Sequence, residues 1–219
     1  MNLSNEVKKV VILGGQGDGL VAAQVLEDMA SVGQKIELLG FLSDSHALCE
    51  MIGGYPVLGK TADWRQLPDK VFFHFALLSV GKMKARADLI KSFQIPEARL
   101  VSLIHPTVQL AKTSQMGSGV LITAYAVFQP GSKLGNCCSV RSSANIGHDV
   151  QIADFVYIGP NTTLAGYASV EEGAFVAPNS MLRDKCVLGA YAVLGAGSAA
   201  FKDIPAGSTW LGVPAKRIA

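Results

Sequence analysis

The segment ANIGHDVQIADFVYIGPNTTLAG, residues 144–166, sets one histidine directly before an acid inside a run of Ile, Val, Gly and Ala. An imidazole titrates near neutral pH and can take a proton from an attacking group. A carboxylate beside it can orient the ring and stabilise the imidazolium, as acids do in nucleophile-activating triads. His148 and Asp149 are therefore the candidate base and its orienting acid, with Asp154 a weaker second acid. Composition alone fits equally a solvated pair on an exposed edge. A second candidate is the loop GGQGDG at 14–19. There Gly14, Gly15, Gln16, Gly17 and Asp18 could cradle a pyrophosphate at a helix N-terminus, or simply form a tight turn that needs glycines. Its spacing is GxxGxG, not the GxGxxG of dinucleotide binders.

The elements that must carry these residues fall into two regimes. Up to about residue 103 the chain alternates strands and helices. KKVVILGG (8–15) reads as a buried strand, and GLVAAQVLEDMASVG (19–33) as a helix that stops at Gly33. KIELLGFLSD (35–44) and KVFFHFAL (70–77) are further strands, and GKMKARADLIKSFQI (81–95) is a helix before Pro96. This order predicts a small Rossmann-like parallel β-α-β domain over 1–103.

From Ile104 the period becomes six. Every sixth residue from Ile104 to Leu194 is large and apolar, sixteen in succession, and the residue four places after each is small or β-branched. At the chain's hydrophobic content such a run arises by chance only about once in 10⁵, so it is a repeat. Hexads of this kind build a triangular coil, one side per hexad and 18 residues per turn. Glycines at 117, 135, 147, 159, 189 and 195 are expected to ease its bends. The fold class is thus α/β + β, with a left-handed parallel β-helix over 104–219 that ends in a short tail after residue 200. Flat faces and open coil ends favour a homotrimer.

Several classes are excluded or disfavoured. No apolar run approaches the length needed to span a bilayer, and the N-terminus lacks a signal-peptide core, so a cytoplasmic protein with no membrane partner is expected. Net charge is +2 with no long basic run, which argues against nucleic acid. Cys138 and Cys186 fall on small core positions of the hexads and read as packing residues. A zinc site of the three-histidine kind is not expected. The coil holds only His105 and His148, 43 residues apart, which is not a whole number of turns. His105 reads as a cap at the junction of the halves, and His74 as a core residue.

Taken in order, these segments resemble the bacterial sugar acyltransferases that acetylate nucleotide-linked amino sugars, close to those that O-acetylate sialic acid. The resemblance runs through Gly14, Gly17, Gly19, Leu20 and Val21, Asp44 in FLSD, GGYPVLG (53–59), IHPTV (104–108), the His148 segment and WLGVPAKRI (210–218). It implies acetyl transfer from acetyl-CoA to a sugar amine without a covalent enzyme intermediate, with His148 as general base. The backbone N–H of Gly166, one turn after His148, would hold the oxyanion. Acetyl-CoA would also meet Tyr157, Gly195, Ala196 and Gly197, with Lys216 and Arg217 toward its phosphates. A nucleotide-sugar would lie on the 14–18 loop, with Asp44 toward base or ribose and Ser43 and Arg141 nearby. The active site would lie between neighbouring coils.

Two positions depart from the family's pattern. Tyr157 stands where many relatives carry a second histidine, and Arg141 where Asn is common. A phenol is no cation at neutral pH, and a guanidinium brings a fixed charge and a planar fork. Three alternatives stay open: an O-acetyltransferase of a sialic-acid-like sugar, transfer of another acyl group, and a non-catalytic trimerisation scaffold. The scaffold would be marked by loss of the His-acid pair, which is present.

Overall fold

In the computed structural model, which describes residues 6–219, the apolar run after Lys9 becomes β1 (Lys8–Leu13). Val10 to Leu13 have no exposure on either face, so β1 lies in the middle of its sheet. Part of the N-terminal leader reading falls on residues 1–5, outside the described residues. α1 (Asp18–Ser31) turns Ala22, Ala23, Val25, Leu26 and Met29 inward, and β2 (Ile36–Leu42) then runs parallel to β1. A hairpin of β3 (Met51–Ile52) and β4 (Tyr55–Gly59) follows, then β5 (Val71–Phe75) and α2 (Met83–Phe93). The strand order is β3-β4-β2-β1-β5, parallel except within the hairpin.

The hairpin was not visible to periodicity, because β3 is only two residues long. Its turn is Gly53-Gly54, with φ 57° and 88°, the pair of positive values that a two-residue hairpin loop requires.

From Leu103 to Ala200 each strand is a two-residue step paired in parallel with a step 18 residues away, as Ser139 with Tyr157 and Val140 with Ile158. Three sheets result. One holds Ser139, Tyr157, Phe175 and Val193, the second Val127, Asn145 and Thr163, and the third Lys133, Gln151 and Ser169. Ile122 through Leu194 of the six-residue series are all buried. Only the open lower end departs, where Leu110 is 40% exposed. Ile204, Trp210 and Ala215 of the tail join the same core and close its upper end.

The glycine expectation needs correction. None of Gly117, Gly135, Gly147, Gly159, Gly189 and Gly195 has a positive φ. The left-handed corner falls two places later, on residues such as Tyr125, Ser143, Asp149 and Tyr167, with φ near 60°. The glycines serve close approach instead: a Cβ on Gly135 would stand 2.6 Å from the backbone carbon of Ala153 in the next turn.

The sheet packs on the coil through both faces. On the α1 side, Val101, Leu103 and Leu121 continue its core; on the α2 side, Cys137 and Phe155 do. His105 Nε2 stands 3.2 Å from Asp28 Oδ2 of α1, and Lys91 of α2 pairs with Glu172 of the coil. No helix among the described residues is long and apolar enough to cross a membrane.

Candidate active site

His148 and Asp149 occupy the coil corner between the second and third sheets, just after the step Asn145–Ile146. The corner's left-handed turn at Asp149, φ 58°, brings its Oδ2 to 3.0 Å from His148 Nδ1. With Nδ1–H donating to that carboxylate, Nε2 carries the lone pair and is free to accept a proton. The imidazole lies against Gly166 of the next turn, where a Cβ would stand only 2.5 Å from Nε2. Tyr167 meets the ring edge-on, centroids 4.9 Å apart. The Gly166 N–H has no acceptor among the described residues. At the same hexad place elsewhere a side chain from the turn above takes that N–H, as Asp154 Oδ1 does for Asn136 at 2.7 Å. Asp154 is thereby committed to another corner and is not a partner of His148.

A second feature is a cavity of about 530 Å³ between the sheet and the first coil face. It opens at the carboxyl ends of β1, β2 and β5, where parallel α/β sheets place their ligand crevices. Gly14, Gly15, Gln16 and Asp18 line it after β1, and Ser43 and Asp44 after β2. Gly14, at φ 125°, has room for no side chain, because a Cβ would lie 2.4 Å from Ala76 O beyond β5. Gly17, at φ 74°, caps α1 with no side-chain hydrogen bond and is not part of the lining. The first N–H groups of α1 are therefore not met by a capping side chain.

Asp44 is held rigidly: Thr61 N–H donates to Oδ1 at 3.0 Å and Thr61 Oγ1 to Oδ2 at 2.7 Å. Ser43 is buried and shares a hydrogen bond of 2.8 Å with His46 Nδ1. From the coil side, Tyr157 and Phe175 form one wall, their rings stacked 4.5 Å apart at 4°. Burial raises the Tyr157 phenol above its ordinary pKa. Arg141 is buried behind this wall, 6% exposed, over the Tyr157 ring. Its Nη2 lies 2.6 Å from Asp18 Oδ1, within ion-pair distance though not aligned as a hydrogen bond.

No protein-family model matches the sequence. GDP-perosamine N-acetyltransferase of Escherichia coli O157:H7 is 23% identical over 172 residues, 76% of each chain. A histidine-to-asparagine mutant of perosamine N-acetyltransferase from Caulobacter crescentus, solved with CoA and GDP-perosamine, superposes with a TM-score of 0.84 at 25% identity. That match covers 97% of this chain and 98% of the other. The acetyltransferase domain of PglB from Neisseria gonorrhoeae, solved with acetyl coenzyme A, gives 0.83 at 29% identity, covering 97% and 100%. The chain is a homologue of the bacterial hexapeptide-repeat sugar acetyltransferases. These neighbours are left-handed β-helix proteins, and this chain shares their fold over nearly its whole length.

Against that family pattern, the structure joins some expected residues and separates others. His148, Asp149 and Gly166 come together. Tyr157 does not join them: it stands on the first coil face, in the cavity with the 14–18 loop. Its outward place in the hexad was readable, but which neighbour covers that face was not. Arg141 is no wall of the cavity and acts behind it on Asp18. The Gly195 and Gly197 N–H groups are already donated to Trp210 O and Pro178 O, so of that trio only the Ala196 N–H is unclaimed among the described residues. Lys216 sits in a short antiparallel pair with Leu211, four strands above Tyr157 in the same sheet.

The adjacent coil cysteines Cys137 and Cys138 are inert. Burial pushes the Cys137 thiol up to about 12 and raises Cys138 further, so neither supplies a thiolate. Among the described residues no three His, Cys, Asp or Glu side chains are grouped to hold a metal ion. Sequence reasoning missed Thr61, Phe175 and Arg86 of the cavity. Phe175 had a signal, since it lies one 18-residue turn after Tyr157. Arg86 had none, because its direction depends on how α2 docks.

Proposed function

We propose that the chain transfers the acetyl group of acetyl-CoA to the amine of a nucleotide-linked amino-sugar, with His148 as general base. The observation that carries the mechanism is the His148 corner: Asp149 holds Nδ1 at 3.0 Å, which leaves Nε2 as the proton acceptor. The amine nitrogen attacks the thioester carbonyl as Nε2 takes its proton. The oxyanion that forms accepts the Gly166 N–H. Collapse of the intermediate breaks the carbon–sulfur bond, and the departing thiolate receives a proton to give free CoA. Acetyl-CoA and amino-sugar thus become CoA and N-acetyl sugar, with no covalent enzyme intermediate.

On this reading residues 1–103 form a Rossmann-like nucleotide-sugar-binding domain and 104–219 the acyltransferase coil. The 530 Å³ cavity suits a nucleotide-sugar, with the 14–18 loop toward the diphosphate and Asp44 toward base or ribose. Acetyl-CoA would run across the second coil face, from the Gly166 corner toward Ala196 at the neighbouring corner and the tail, with Lys216 and Arg217 toward its phosphates. His148 is not among the residues that line the cavity, and it stands on the corner opposite the face that does. A site that unites base and acceptor is therefore built between copies, with His148 of one subunit facing the cavity of the next in a homotrimer. The perosamine enzymes make GDP-4-amino-sugars the first acceptors to try.

The test is release of free CoA thiol from acetyl-CoA against UDP-, dTDP- and GDP-linked amino-sugars, for the wild type and His148→Ala. Turnover with one amino-sugar that collapses in the variant supports the reading. Unchanged turnover in the variant removes His148 from the mechanism, and silence across the panel from a folded protein rejects the acceptor class.

A further inference from the structure

Three charged side chains line the cavity: Asp18, Asp44 and Arg86. The two acids are already engaged, Asp44 by hydrogen bonds and Asp18 by an ion pair. Asp44 accepts from Thr61 through both oxygens, and Asp18 lies against Arg141. Arg86, from the first turns of α2, has no carboxylate partner among the described residues. It lines the cavity together with the glycine loop and is half-buried.

We propose that Arg86 binds the diphosphate of the nucleotide-sugar, and that Arg141 permits this by cancelling the charge that Asp18 places in the same cavity. The proposal rests on the nucleotide-sugar reading above. A planar guanidinium meets phosphate oxygens with two parallel hydrogen bonds, which a lysine cannot reproduce. Asp18 opposes such a ligand, because a carboxylate in the first turn of α1 repels a phosphate approaching the same N-terminus. Arg141 removes that opposition from behind. At 6% exposure it is a positioning residue that acts through Asp18 and does not touch the ligand. Arg86 is then the one charged side chain of the lining left without a partner among the described residues. Arg141 and the acid at the helix start read as a matched pair.

The experiment is calorimetric titration of the intact protein with GDP and UDP, each against its nucleoside, guanosine or uridine. The ratio of the two affinities isolates the phosphate contribution from base and ribose. In Arg86→Gln the diphosphate affinity is expected to fall about 10–100-fold while the nucleoside affinity holds. Arg86→Lys keeps part of the difference. Arg141→Met lowers diphosphate affinity, and adding Asp18→Asn to it restores the loss, with the melting temperature followed alongside. Should Arg141→Met not fold, Asp18→Asn alone decides: it tightens diphosphate binding if Arg141 is a compensator. A loss shared equally by diphosphate and nucleoside in Arg86→Gln, or weaker diphosphate binding in Asp18→Asn, overturns the proposal. A wild type that binds no diphosphate better than its nucleoside overturns the nucleotide-sugar reading itself, and this proposal with it.

Discussion

His148 draws its directionality from two neighbours of opposite kind, a carboxylate that fixes one nitrogen and a glycine that leaves room for the other. Removing the imidazole in His148→Ala should lower kcat about 10²–10⁴-fold, the range for a general base, with acetyl-CoA affinity unchanged by titration. Gly166→Ala is the sharper test of geometry. Its methyl would stand 2.5 Å from Nε2, so the ring must swing away. The expected result is a fall in kcat at unchanged melting temperature and unchanged KM for the nucleotide-sugar. A normal kcat would mean that the ring does not work from the position seen. This corner was legible in the sequence because His148 and Asp149 are adjacent and Gly166 follows by one 18-residue turn. Tyr157 was not, since nothing in a hexad says whether solvent, a helix or another copy covers its outward side chain.

The elements show why the fold was easier to read than the site. A repeat of six survives any detail of packing, because every sixth residue must fill the prism and the one four later must fit beside it. The sheet was read from strands and helices long enough to show a period, whereas the short hairpin gave none, and the glycines were misread because close approach and positive φ leave the same letter in a sequence. Truncating one filled place, Leu164→Ala, should cost about 2–5 kcal/mol of stability by urea unfolding, since Leu164 is fully buried in the middle of the coil. His74 adds a pH dependence. It lies fully buried on β5, its Nδ1–H donating to Val101 O at 3.1 Å, and burial lowers its pKa to about 4. The unfolded chain, with a histidine near 6.5, binds the extra proton first as pH falls, so stability is complete above about 6.5 and lost toward pH 4. The loss is on the order of 3 kcal/mol over that window. Melting curves between pH 7 and pH 4.5 should show it, and His74→Leu should flatten the slope whatever it does to the absolute melting temperature.

At the scale of the whole molecule, His148 and the cavity lie on different sides of one coil. The glycine loop, β2 and β5 face the first sheet of the coil, through Tyr157 and Phe175, while His148 projects from the corner between the other two sheets. Within one chain the prism, whose core is closed from Ile122 to Trp210, stands between the base and the cavity. In the proposed homotrimer a head-to-tail contact would set one subunit's corner against the next subunit's cavity. Two damaged chains then become complementary. His148→Ala retains an intact cavity. Ser79→Trp, which fills the cavity from its β5 side, retains an intact base. Each alone should be inactive. Co-refolded in equal amounts, random mixing gives about one interface in four with both intact halves, so about a quarter of wild-type turnover should return. Sedimentation equilibrium on the same samples reports the trimer directly. A mixture that stays inactive while hybrid trimers form would mean that base and acceptor are brought together within one subunit.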